Sequence, residues 1–71
     1  MKTLTKVNSS MVHAVGYDKP KKELEVIFKT GRIWIYQDVP PKVYQNLLNS
    51  SSVGSFMINN IIDCYYEERM N

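Results

Sequence analysis

Seventy-one residues, 44% hydrophobic and 23% charged, make one folded domain, too short for two and too apolar for a disordered chain. No apolar run reaches the roughly 18 residues of a membrane span, nothing behind Met1-Lys2-Thr3-Leu4-Thr5-Lys6 reads as a signal peptide, and the lone Cys64 excludes a disulfide framework or a cysteine-based metal site. The formal charge of +2 is unevenly spread: residues 1–42 hold eight Lys/Arg against Asp18, Glu23, Glu25 and Asp38, a net of +4, whereas residues 43–71 hold Arg69 against Asp63, Glu67 and Glu68, a net of −2.

Residues 1–8 are expected to form an N-terminal tail, residues 9–66 a single domain, and residues 67–71 a frayed C-terminus. Met11–Tyr17, rich in β-branched and small residues, reads as the first strand, broken by Asp18-Lys19-Pro20-Lys21-Lys22. Leu24–Lys29 and Arg32–Tyr36 alternate with a period near two and read as the next strands, joined by a two-residue turn at Thr30-Gly31. Val39-Pro40-Pro41 ends the sheet, and proline suits the first position of a helix running from Pro41 to Asn49. Its apolar stripe is Val43, Tyr44, Leu47 and Leu48. Ser52 is placed to cap a second helix from Val53 to about Tyr66, with Met57, Ile58, Ile61, Ile62 and Tyr65 on its stripe. The expected fold is α+β: a three-stranded antiparallel β-meander followed by two short helices.

Pairing Lys29 with Arg32 sorts the hairpin into two faces. Leu24, Val26, Phe28, Ile33 and Ile35 collect on a core face, and Glu25, Ile27, Lys29, Arg32, Trp34 and Tyr36 on the other. Pairing Tyr17 with Glu23 would add His13, Val15 and Tyr17 beside Trp34, while Val12 and Ala14 go to the core. A slip of one residue reverses all of these assignments.

Catalysis finds little support. His13 and Cys64 lie on different elements, with nothing to orient them as a base and nucleophile. Cys64 reads as a small buried hydrophobe and His13 as a half-exposed strand residue. Glu23 and Glu25 share a strand face that reads as a solvated charged surface, and no phosphate loop, dinucleotide fingerprint or metal-ligand spacing is present. The expectation is a cytoplasmic protein that is not an enzyme and uses no cofactor or metal.

The remaining feature is aromatic. Trp34 and Tyr36 project from one strand face shared with Lys29 and Arg32, with Lys19, Lys21 and Lys22 in the loop at its other end. Rings flanked by cations suit single-stranded nucleic acid, where bases stack and cations follow phosphates. The same rings would equally serve as core under a helix, or as the interface of a homodimer or a protein partner.

The residues Val15-Gly16-Tyr17-Asp18, Leu24-x-Val26-x-Phe28-x-x-Gly31, Trp34-x-Tyr36-x-x-Val39-Pro40 and Ser52-x-Gly54-x-Phe56, ending in Ile61 and Tyr65, together resemble the KTSC domain family. That family occurs at the C-terminus of some lysyl-tRNA synthetases and as stand-alone small proteins of bacteria and phages. The resemblance implies RNA binding as the suggested role. The family's Tyr-x-Tyr motif maps onto Trp34 and Tyr36, which keeps a flat ring at the first position. Ile62 stands where the family tends to carry a basic residue and Ile58 where it commonly has a polar one; both make the last helix greasier and favour burial in a partner. The leading expectation is a binding module contacting RNA or single-stranded nucleic acid: Trp34, Tyr36 and Tyr17 stack, and Lys29, Arg32, Lys21 and Lys22 meet phosphates. The alternative is a protein-interaction module, phage-encoded or bacterial, or a homodimer, using the same face or the last helix, with no membrane involved.

Overall fold

The structure, a computed structural model, describes residues 3–71; residues 1 and 2 of the expected tail lie outside the described residues. Its elements are β1 (Leu4–Lys6), β2 (Val12–Asp18), β3 (Glu23–Phe28), β4 (Ile33–Tyr36), α1 (Pro41–Asn49), α2 (Val53–Phe56) and β5 (Glu67–Arg69). α2 runs directly into a π-helical turn, Met57–Ile61. The strands form one antiparallel sheet in the order β1-β2-β3-β4-β5. The α+β class and the two helices are as expected, but the sheet has five strands and not three.

The two additional strands come from the segments expected to be a tail and a frayed end. Leu4 to Lys6 pair with Gly16 to Ala14, and Glu67 to Arg69 pair with Tyr36 to Trp34. Each strand is only three residues long, too short to show a period in sequence, and gains order from the neighbour it pairs with. The last residues are held further. The Met70 N–H donates to the Ile33 carbonyl at 2.8 Å. The Asn71 side chain bridges the neighbouring hairpin, accepting from Ile33 N–H and donating to the Gly31 carbonyl, both at 2.9 Å.

The turn between β3 and β4 sets which residues face the helices. Phe28, not Lys29, closes it: its N–H donates to the Arg32 carbonyl at 2.9 Å, and the Gly31 N–H donates to the Phe28 carbonyl at 2.9 Å. The loop therefore has three residues, Lys29-Thr30-Gly31, with Gly31 at φ +93°, the positive-φ end such loops require. One extra loop residue shifts the register by one, so Val26 faces Trp34 and Leu24 faces Tyr36. The β2–β3 pair is shifted likewise, with Tyr17 opposite Leu24 and Val15 opposite Val26. A bulge at His13, where Val12 faces Phe28 but Ala14 faces Ile27, returns Val12 to the same side as Val15.

The expected faces are corrected accordingly. Leu24, Val26 and Phe28 do face the core, but with Trp34, Tyr36, Val12, Val15 and Tyr17 beside them; Ile33, Ile35 and Ala14 go to the opposite face. The core closes when Leu47 of α1, Val53 of α2, and Met57 and Ile61 of the π turn cover the first face. Val43, Tyr44 and Leu48 pack against its rim, so the α1 stripe is as expected.

Pro41 opens α1, and the Ser52 Oγ caps α2 by accepting from the Ser55 N–H at 3.3 Å. The second helix ends earlier than its stripe suggests. Its backbone widens until the Ile62 N–H reaches the Met57 carbonyl at 2.8 Å, then reverses at Asp63, at φ +65°. Ile58 consequently points outward, 61% exposed, and Cys64, expected to be buried, is exposed in the turn that follows. Among the described residues no helix is long and apolar enough to cross a membrane.

Candidate nucleic-acid interface

The rows of the sheet that meet the helices decide what each aromatic residue can do. Tyr36 is central. It is 2% exposed, and its phenol is pushed up to about 12, first by burial and then by the carboxylates of Glu67 and Asp63. A ring enclosed in this way is a core residue and offers no surface for a base, so the expected stacking role of Tyr36 is replaced by a packing role.

Tyr17 is likewise engaged within the protein. Its ring stacks on that of Tyr44, with centroids 4.9 Å apart and planes 12° from parallel, and its hydroxyl donates to the Val39 carbonyl. Desolvation raises its pKa as well. Both contacts pin the start of α1 to the sheet. Lys21 and Lys22 lie in the β2–β3 turn, where the Lys21 N–H donates to Asp18 Oδ1 at 3.3 Å. Lys22 adopts φ +54°, and its carbonyl accepts from the Val39 N–H at 2.9 Å. β3 separates this turn from the other hairpin tip by roughly 17 Å, so Lys21 and Lys22 do not share a site with Trp34.

Trp34 differs from Tyr36. It lies one row nearer the hairpin tip, is only partly buried, and lines an open groove of about 530 Å³ together with Met11, Phe28, Lys29 and Arg32. Three of the seven expected contact residues, Trp34, Lys29 and Arg32, are thus brought together. Phe28 and Met11 supply an apolar floor for the groove, and the side chains of both cations are exposed.

A further residue joins them that the sequence pattern did not indicate. Arg69 of β5 is the cross-strand neighbour of Trp34, so the two side chains leave the sheet on the same side. Arg69 and Arg32 also line a second, adjoining cavity of about 410 Å³ between the hairpin tip and Asn71. Arg69 was hidden because it lies in a segment whose strand character exists only through pairing with β4. The hairpin tip therefore presents one partly exposed indole, a phenyl ring and three cations around two hollows that share Thr30 and Arg32. Such an arrangement can hold a flat, apolar ring with negative groups beside it. Among the described residues there is no group of three or more His, Cys, Asp or Glu side chains placed to hold a metal ion.

Comparison with known proteins fixes the family. The KTSC domain model matches residues 8–66. The chain belongs to the KTSC domain family. The KTSC chain is 39% identical over 56 residues to a protein of Tsukamurella paurometabola, covering 79% of this chain and 82% of that one. It is 42% identical over 48 residues to a protein of Stutzerimonas stutzeri, covering 68% of each. The crystal structure of a KTSC domain protein from Yersinia pestis is similar over the full length of both chains, with a TM-score of 0.94 and 26% identity.

Proposed function

We propose that this KTSC domain is a non-enzymatic binding module that holds a single-stranded nucleic-acid segment, RNA in the first instance, at the β3–β4 hairpin tip. One base lies against the exposed part of Trp34 over the floor of Phe28 and Met11, while Lys29, Arg32 and Arg69 meet the flanking phosphates. The observation that carries this reading is the groove that gathers Trp34, Lys29 and Arg32 at one end of the sheet. The basic balance of residues 1–42 supports it through long-range attraction of phosphate. The site is smaller than the whole-face platform expected from alternation alone, because Tyr36 and Tyr17 are used in packing.

Trp34 is the only tryptophan, so its emission reports on the groove directly. Titration with oligouridylate quenches it, and log K falls with log salt at a slope of about −2, as three phosphate contacts on a single strand require. Replacing Arg69 by Ala lowers that slope by about one phosphate's share, roughly 0.7. Emission indifferent to oligonucleotide at low salt refutes the proposal.

A further inference from the structure

The two hollows of the hairpin tip differ in chemistry. The larger has Met11 and Phe28 as an apolar floor beside Trp34. The smaller, of about 410 Å³, is lined by Thr30, Gly31, Arg32, Arg69 and Asn71, so among the described residues it holds no aromatic ring and no Asp or Glu side chain. The Asn71 amide is committed to the hairpin backbone, its oxygen accepting from the Ile33 N–H and its nitrogen donating to the Gly31 carbonyl. The other side chains that line this hollow are the Thr30 hydroxyl and two guanidiniums. A hollow so rich in donors suits an oxyanion.

Strand β5 brings the two guanidiniums together. Arg69 lies opposite Trp34, and the Met70 N–H bonds to the Ile33 carbonyl, which carries the pairing on toward Arg32. Arg32 and Arg69 are thus diagonal neighbours across the strand pair, a relation that sets Cβ atoms roughly 7–8 Å apart. Like charges at that spacing repel, and an anion between them turns the repulsion into attraction. Glu67, on the same side of β5, pairs with Tyr36 farther from the tip, and its carboxylate accepts from the Asp63 N–H at 3.3 Å. A guanidinium presents a planar fork to two oxygens at once. A phosphodiester within a strand carries one charge and two free oxygens, which a single fork satisfies. A phosphomonoester at a strand end carries nearly two charges at neutral pH and three acceptor oxygens, which two forks and a hydroxyl match.

We propose that the hollow between Arg32 and Arg69 holds the terminal phosphomonoester of a strand whose end base lies on Trp34, so that the hairpin tip recognises phosphorylated ends. This inference rests on the reading of the groove as a nucleic-acid site. A 5′ and a 3′ phosphate present the same group, and the test separates them. Trp34 quenching is measured with triuridylate phosphorylated at its 5′ end, with triuridylate phosphorylated at its 3′ end, and with unphosphorylated pentauridylate, which carries nearly the same total charge. At least one phosphorylated trinucleotide binds about ten times more tightly than the pentanucleotide, and the one that does names the end. Arg32→Ala and Arg69→Ala each abolish that preference, and Arg69→Lys, which keeps the charge and not the fork, loses most of it while the emission maximum of the free protein stays in place. A pentanucleotide that binds as tightly as both phosphorylated trinucleotides, or a preference that survives both alanine substitutions, overturns this inference and leaves the groove reading standing. Absence of quenching by all three removes the groove reading and the inference together.

Discussion

The two faces of this sheet carry similar amounts of aliphatic side chain and bury it by different means. On the helix face, Leu24, Val26 and Tyr36 are enclosed by α1, α2 and the π turn, elements distant in sequence. On the open face, Ile35 is 7% exposed although it lies outside the cluster beneath the helices, with Glu25 and Glu68 as its cross-strand neighbours. Low exposure therefore does not have one meaning in this protein. On one face it records packing beneath the helices, and on the other burial that neither helix supplies.

Truncation separates the two most strongly. Leu24→Ala removes a fully buried side chain beneath the helices and is expected to destabilise by about 2–5 kcal/mol, since the cavity cannot refill from solvent. Ile33→Ala on the open face should cost about 1 kcal/mol or less, because its outer surface already meets water. Urea unfolding of both variants measures the contrast, and equal losses would mean that the open face is as structural as the covered one.

Alkaline pH gives a second contrast. Tyr36, on the covered face, holds its proton until about pH 12, whereas an unfolded tyrosine releases it near the ordinary value of 10.0. Below pH 10 the phenol is protonated in both states and stability is unaffected. Between pH 10 and 12 the unfolded chain has lost the proton that the folded chain keeps, so stability falls as pH rises through that window. Tyr36→Phe should flatten this part of the pH profile while lowering groove binding little, since the ring is not exposed. An unchanged alkaline slope in that variant would assign the loss to other groups, among them Tyr17, whose pKa burial also raises.

Much of this was legible from sequence, but not the sign of the faces. Alternation identified β2, β3 and β4, proline and the Val43–Leu48 stripe identified α1, and the capping role of Ser52 was correctly placed. Period-two patterns state which residues go together and are silent on which set goes inward. On β4 both sets are hydrophobic, so a one-residue shift in the β3–β4 pairing brings Trp34 and Tyr36 to the covered face and sends Ile33 and Ile35 to the other without violating any local preference, while Leu24, Val26 and Phe28 stay in the core. Trp34, Tyr36 and Tyr17 were correctly grouped, yet the group proved to be the covered one, and only Trp34 at its end emerges from the packing. The terminal strands and Arg69 were out of reach because three-residue strands owe their order to the partner strand. The π turn was unreadable for a related reason: Ile58 and Ile62 continue the helical stripe up to the point where the backbone leaves it.

The smallest expected effect tests the turn that fixed the faces. Gly31 adopts φ +93°, a conformation that costs a side-chain-bearing residue about 1–2 kcal/mol, and a Cβ placed there would meet no atom within 4 Å. Gly31→Ala therefore isolates backbone strain from packing, and a loss of about 1 kcal/mol in urea unfolding is expected, with Gly31→Asn closer to the parent because asparagine tolerates this region. Strain at this position pulls on the bond from Asn71 Nδ2 to the Gly31 carbonyl and so on the arrangement of Arg32, Arg69 and Trp34 around it. The variant should disturb the hairpin groove more than the open face, visible as a change in Trp34 emission without a change in the Ile35 methyl signal. If instead Gly31→Ala is as stable as the parent, the three-residue loop is not what holds Val26 opposite Trp34, and the assignment of the two faces must rest on core packing alone.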